Sequence, residues 1–242
     1  MRSPEDLGDI CHHVTAVWRL AVHASELPVH NSDAHDARGS LRPMAATRRT
    51  ESAPLCAYVA LLRGINVGGK NIISMKALAA TFERIGLTGV RTYIQSGNVV
   101  FQSPEDDPRA LETRIQAALR KAHRYTDKVV VRTRAEMQEL ARRLPRSWKK
   151  PDAATRYYVL FLRHGIDSKH ALQGIRPKPE IEEISYRPGA VLWSASIPHI
   201  GRSGVAKLVS MPIYKEMTIR NLNTTLKLCA LLDAVSSAGE IR

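Results

Sequence analysis

The residues of this chain whose types and spacing point most directly to chemistry lie between Arg63 and Asn71. They read Gly64-x-x-x-x-Gly69-Lys70, with Asn66, Gly68 and Asn71 completing the loop, after an apolar run that ends in Arg63. This is the spacing of a phosphate-cradling loop. Consecutive backbone N–H groups form a nest for an anion, and the arginine and lysine add positive charge. The match stops at Asn71, where a P-loop nucleotide hydrolase has Ser or Thr to hold magnesium. That class also needs a helix opening at the lysine, a parallel sheet and an acidic strand end, none of which the pattern provides. The plain alternative is a strand-to-helix connection whose glycines supply positive φ.

Two further polar groupings stand with this loop. Gln95 and Asn98 flank the Ser96-Gly97 dipeptide, where their amides could read a base, ribose or peptide edge, or simply border a turn. Arg220, Asn223, Thr224 and Lys227 fall at steps of three and four around Asn221, at the start of the last helical pattern. Alone, that stripe would read as a solvated helix face. Three polar segments at strand and helix ends predict one shared cleft, with Arg63, Lys70 and Arg220 near one another. There is no nucleophile elbow, metal-ligand spacing or carboxylate dyad, so no catalytic residue, metal or cofactor is assigned.

The elements that must position these residues follow from periodicity. Residues 56–63 read as a buried strand, and Ser74 as the N-cap of a helix with Met75, Leu78, Ala79, Phe82 and Ile85 on one face. Residues 90–95 and 98–103 form two strands joined by a two-residue turn at Ser96-Gly97, with Gln95 opposite Asn98. Pro104 and the acidic residues after it open a second helix carrying Leu111, Ile115, Ala118 and Leu119, and residues 128–132 form a fourth strand. Strand, helix, strand, strand, helix, strand is the ferredoxin-like order, with both helices on one face and the other face open. The pattern repeats less regularly: strands at 156–163, 184–187 and 191–196, short helices after Asp167 and Gly204, and a closing helix from about Asn221. In that helix Leu222, Leu226, Cys229 and Ala230 share a face. The Leu162-Arg163-His164-Gly165 segment echoes Leu62-Arg63-Gly64. The fold class expected is α+β: two ferredoxin-like (βαββαβ) subdomains at 55–145 and 146–242, the second degenerate, after a flexible extension at 1–54.

Composition bounds the rest. The chain has 242 residues and a formal net charge of +13. Residues 1–54 hold six Lys/Arg against seven Asp/Glu, so the basicity belongs to the folded part and favours polyanions. Five of the nine histidines also lie in this extension, which carries no sustained periodicity, and Met44 marks where a dispensable segment would end. Acidic residues near the N-terminus argue against a secretory signal, and no apolar run reaches the length of a membrane span. Cys56 and Cys229, in apolar runs, are expected to be small buried hydrophobes, and a cytoplasmic location is expected.

Leu61-Leu-Arg-Gly-Ile-Asn-Val-Gly-Gly-Lys-Asn71, Tyr93-Ile-Gln-Ser-Gly-Asn-Val99 and Thr218-Ile-Arg-Asn-Leu-Asn-Thr224 resemble the signature segments of a bacterial family called domain of unknown function 1697. The resemblance spans about residues 56–234 and implies two ferredoxin-like subdomains; it supplies no reaction. Leu222 departs from it, standing where the family commonly has Trp. The expected function is a binding module for a nucleotide, another phosphate-bearing ligand or nucleic acid. The alternatives are an enzyme acting on a small phosphorylated substrate, in which cationic side chains stabilise charge, and a self-associating structural protein. Sparse aromatics argue against a stacking platform for RNA.

Overall fold

The computed structural model describes residues 54–69, 71–204, 208 and 210–237. The expected extension before Pro54, Lys70, and Val205 and Val209 of the expected helix after Gly204 lie outside them.

Strand β1 (Cys56–Leu62) is buried from Ala57 onward, and Cys56 is exposed rather than buried. Helix α1 (Met75–Arg84) starts where Ser74 caps it, the Ser74 hydroxyl accepting from the Ala77 N–H at 3.2 Å. It buries Leu78 and Phe82. Strands β2 (Thr88–Tyr93) and β3 (Asn98–Ser103) precede helix α2 (Pro108–His123), capped by Asp107 and buried along Leu111, Ile115 and Leu119. Strand β4 (Val129–Thr133) runs straight into α3 (Arg134–Arg142) through a capping box of Thr133 and Glu136. Strands β5 (Thr155–Leu162), β6 (Glu182–Arg187), β7 (Ala190–Ser196) and β8 (Met217–Asn221) follow, and β8 runs into α4 (Leu222–Ser237) as β4 does into α3.

These strands make two four-stranded antiparallel sheets, β2-β3-β1-β4 and β6-β7-β5-β8. The chain is therefore α+β, with the first half in the predicted element order. In the second half the described crossovers are 3-10 turns (His164–Ile166, Lys169–Leu172, Ile197–Arg202 and Pro212–Glu216), of which Lys169–Leu172 stands where a short helix was expected after Asp167. Pro177 and Pro179 bar a longer helix after Leu172, whereas Pro198 and Pro212 stand in the first turns of their own elements, where no donor is needed.

The hairpin differs from its expected register. Tyr93, not Gln95, pairs with Asn98, and the connection is the four residues from Ile94 to Gly97. Asn98 Nδ2 donates to the Tyr93 carbonyl and the Ser96 hydroxyl, both at 3.0 Å, closing the longer turn from inside. The shift is by two residues, so the residues still in the strands keep their faces, while Ile94 and Gln95 leave the strand for the turn.

The cores explain the stacking of the halves. Tyr58, Ala60 and Phe101 pack with Leu78, Phe82 and Ile115 under α1 and α2. The other face of the first sheet is not open. Val59, Leu61 and Val100 meet Val159, Phe161 and Leu192 of the second sheet, with Met137 of α3 and Leu228 and Leu232 of α4. Leu222 is buried in this central core, so the departure from the expected Trp falls at a packing position. Thr225, Leu228 and Leu232 take the buried face of α4, and Leu226 is 42% exposed, which rotates that helix from the expected face.

Candidate functional site

β1 and β5 end in equivalent ways. The Leu62 N–H bonds the Gly97 carbonyl at 2.8 Å and the Leu162 N–H bonds the Gly189 carbonyl at 3.0 Å. One residue on, the Arg63 and Arg163 N–H groups reach the carbonyls of Lys128 and Glu216. An arginine from the opposite half then closes each end. Arg220 of β8 donates through Nη2 to the carbonyls of Leu62 (2.9 Å), Ser96 (2.9 Å) and Gly97 (3.3 Å). Arg132 of β4 donates through Nη2 to the carbonyls of Leu162 and Gly189. The two occupy the same register, Arg132 opposite Val59 and Arg220 opposite Val159. Each also bonds its own preceding carbonyl through Nη1. The halves thus exchange arginines about an approximate twofold axis.

This fixes the place of three predicted site residues. Arg220 is buried at 7% exposure, and its Nε and Nη1 also donate to Asn98 Oδ1 (2.5 Å) and the Thr218 hydroxyl (2.8 Å). Burial holds its guanidinium down at about 10. Its partners are carbonyl, amide and hydroxyl oxygens, so the charge is neutralised by dipoles. Arg220 does meet Ser96 and Asn98, as a shared site requires, but as a lock between halves. Asn98 is fully buried and Gln95 is exposed, so their amides do not face one way across a tight turn.

The glycine loop is built by its asparagines. Asn66 (φ 54) donates through Nδ2 to the carbonyls of Ile73 and Gln95, and its Oδ1 accepts from the Ile73 N–H. Asn71 (φ 50) donates through Nδ2 to the Gly64 carbonyl and to Asp127 Oδ2. Gly68 and Gly69, at φ 57 and 74, are exposed with open space around them. Ser74 caps α1, so the loop precedes the helix by several residues and does not open it as a P-loop does.

Arg63 sits where the halves meet. Its Nη1 pairs with Asp127 Oδ1 at 3.0 Å, its Nε donates to the Tyr214 carbonyl, and its guanidinium carbon lies 4.7 Å from the Tyr214 ring centroid. The Tyr125 hydroxyl donates to the Arg63 carbonyl at 2.6 Å, fixing the backbone here. Residues 126–128 and 214–216, the equivalent approaches to β4 and β8, line a depression of ≈ 440 Å³ with Arg63. Lys128 and Arg163 share Glu216 at 3.5 and 2.9 Å, while Lys215 is exposed and in no ion pair among the described residues. Asp127 is the carboxylate that sequence reading left out, because its partners lie 56 and 64 positions away.

Asn221, Asn223, Thr224 and Lys227 do not line the depression. Asn221 Oδ1 accepts from the Thr224 N–H at 2.7 Å as the cap of α4; Thr224 is buried, and Asn223 and Lys227 are exposed on the helix.

A second charged cluster was not anticipated. His164, just after β5, places Nδ1 3.1 Å from Glu112 Oε1 on α2 and Nε2 3.1 Å from Glu136 Oε1 on α3. Arg132 Nη1 lies 3.2 and 3.3 Å from the two ring nitrogens, and Arg163 Nε lies 3.5 Å from Glu112. Hydrogen bonds to Glu112 and Glu136, outweighing burial, raise the His164 imidazole to about 9. Burial alone would raise Glu136, but bonds from His164 and the Thr133 N–H hold it down at about 2. The visible signal was Glu112, a carboxylate beside Leu111 on the apolar face of its helix. Among the described residues no group of three or more His, Cys, Asp or Glu is arranged to hold a metal, and no helix is long and apolar enough to cross a membrane.

Comparison with solved structures finds the conserved bacterial protein SP0830 from Streptococcus pneumoniae, 27% identical, with a TM-score of 0.66 over 74% of this chain and 99% of that one. Comparison with curated proteins finds no match. The family described as "Protein of unknown function (DUF1697)" matches residues 55–193, more than half of the chain, covering all of the first sheet, β5 and β6 and ending within β7. The chain belongs to that family of proteins of unknown function.

Proposed function

We propose that the protein is a binding module for a phosphate-bearing ligand, of nucleotide size, held in the depression between its two halves. The observation that carries this is the convergence of Arg63, Lys128 and Lys215 on one depression of ≈ 440 Å³ formed by both halves. A cavity of that size suits a small ligand rather than an extended duplex. Arg63 is pre-oriented by Tyr214, so its ordering cost falls before a ligand arrives. The bond from Asn71 Nδ2 to Asp127 ties the end of the glycine loop to a residue that lines the depression. In this reading Arg220, Asn98 and Asn66 hold the frame, while Arg63, Lys128 and Lys215 meet the ligand. We read the halves, at 55–145 and 146–242, as ferredoxin-like. The strand order β2-β3-β1-β4 with two crossover helices supports this for the first, and the matching order β6-β7-β5-β8 for the second.

The test is a melting-temperature screen of the full chain against mononucleotides, sugar phosphates, short oligonucleotides and sulfate. A phosphate ligand that binds only the folded protein raises the midpoint. Lys215→Glu, at an exposed position, should leave the unliganded midpoint in place and weaken binding by about 1–3 kcal/mol. Added salt should weaken binding as well. The reading fails if no phosphate ligand shifts the midpoint, or if Lys215→Glu binds as tightly as the parent.

A further inference from the structure

We infer that Asp127 is a built-in competitor for the anion position of this depression, so that a phosphate group binds by displacing the Asp127 carboxylate from Arg63. The inference rests on the phosphate-binding reading above and adds how the site is regulated and what it selects.

The Asp127 carboxylate sits where a ligand's anion would. Oδ1 accepts from Arg63 Nη1 at 3.0 Å and Oδ2 from Asn71 Nδ2 at 2.9 Å, and Oδ2 lies 3.3 Å from where a Cβ on Gly64 would stand. A guanidinium beside an amide is the donor set that takes a phosphate oxygen pair. In the free protein it is occupied by the chain's own carboxylate.

Two features make the displacement feasible. First, Arg63 does not depend on Asp127 for its orientation. Its Nε bond to the Tyr214 carbonyl and its place 4.7 Å from the Tyr214 ring centroid come from the other half and persist when the carboxylate leaves. Second, the pair is weakly held. The Arg63 and Asp127 side chains are 22% and 34% exposed, and ion pairs open to solvent to that extent contribute little. Asp127 also lies in the connection between α2 and β4, where a side chain can turn outward without breaking either element.

Competition of this kind discriminates by charge. A phosphate dianion brings more charge and more acceptor oxygens than the carboxylate it replaces, so it can win the guanidinium and the amide together. A monocarboxylate of the same charge as Asp127 has no such advantage. The site is thereby closed to small monoanions and open to phosphoryl groups.

The experiment compares the wild-type chain with Asp127→Asn, which keeps an acceptor for Asn71 and the side-chain size but not the charge. Inorganic phosphate and acetate are titrated calorimetrically into both at one ionic strength. Asp127→Asn should bind phosphate tighter, by up to about fivefold, the upper worth of a partly exposed ion pair, and should gain acetate binding that the wild type lacks. Equal or weaker phosphate binding by Asp127→Asn, with clear binding by the wild type, overturns the competitor role and leaves the binding site standing. Absence of phosphate binding by both, with both folded, overturns the underlying reading and the inference together. If Asp127→Asn does not fold, the wild type alone decides. Phosphate should shift the NMR signals of the Asn71 side-chain amide, and an unmoved Asn71 amide in a protein that binds phosphate refutes displacement.

Discussion

His164 offers the most direct electrostatic test of the fold. Both ring nitrogens face carboxylates of the first half, Glu112 and Glu136, each at 3.1 Å. Both must donate for both bonds to exist, which requires the imidazolium form. The bonds to the two carboxylates prevail over burial and the neighbouring Arg132, which oppose that charge, and the imidazole is raised from 6.5 to about 9. The folded state then binds the proton more tightly than the unfolded chain. The contribution is fully present below about 6.5, declines as pH rises, and is lost above about 9. A rise of that size corresponds to about 3 kcal/mol, and with the Glu136 side chain 37% exposed, screening leaves roughly 2 kcal/mol. The perturbation is His164→Gln, which keeps one donor and cannot titrate. Urea unfolding of both proteins between pH 6 and 10 gives the difference in stability at each pH. It should be largest near pH 6 and shrink by about 2 kcal/mol by pH 9.5. A difference that stays flat across that range, or a His164 resonance that titrates near 6.5, would refute the imidazolium clasp.

Further outcomes follow from the closed strand ends and the acid side of the same cluster. Arg220→Met removes the guanidinium bonds to the buried Leu62 and Gly97 carbonyls and leaves Asn98 Oδ1 without its donor, and should cost about 3–5 kcal/mol in chemical denaturation, with Arg220→Lys recovering little of it. Gly97→Ala should be far worse than Gly68→Ala. At Gly97 a Cβ would stand 2.4 Å from Ile65 Cγ2 as well as taking φ 74, whereas Gly68 has only its φ of 57 to cost about 1 kcal/mol; comparing melting midpoints separates the two. Glu136→Gln should abolish a stabilisation that in the wild type is full above about pH 4.5, shrinks as pH falls and is gone below about 2; acid titration followed by circular dichroism reads this.

Where the sequence was informative, the signal was local. The apolar run of β1, the Ser74 cap and the 3.6-residue stripe of α2 are each written within a few neighbouring residues, and the structure follows them. The hairpin was misread by two residues because Ser96-Gly97 resembles a short turn. The side chain of Asn98, which bonds Tyr93 and Ser96, instead stabilises a longer one. Arg220 reads as a surface residue for the opposite reason. Nothing near it in sequence shows that acceptors at positions 62 and 96 to 98 converge on it. Asp127 and His164 were opaque for the same cause, since their partners come from other elements. A charged residue on an apolar stripe, as Glu112 and Arg132 are, was the available sign that charge goes inward.

The reciprocal arginines also bear on the order in which the chain can finish folding. The first sheet is complete in sequence at Thr133, but the carbonyls at the end of β1 wait for a donor 158 positions further along than Leu62. During synthesis at roughly 5–20 residues per second, the ribosome needs on the order of 5–20 s after Thr133 to reach Arg220. Through that interval the nascent first half carries an uncapped strand end and a bare inner face formed by Val59, Leu61 and Val100. Its early state is a sheet with one face uncovered, and the second half, through Arg220, supplies both the cover and the missing donor.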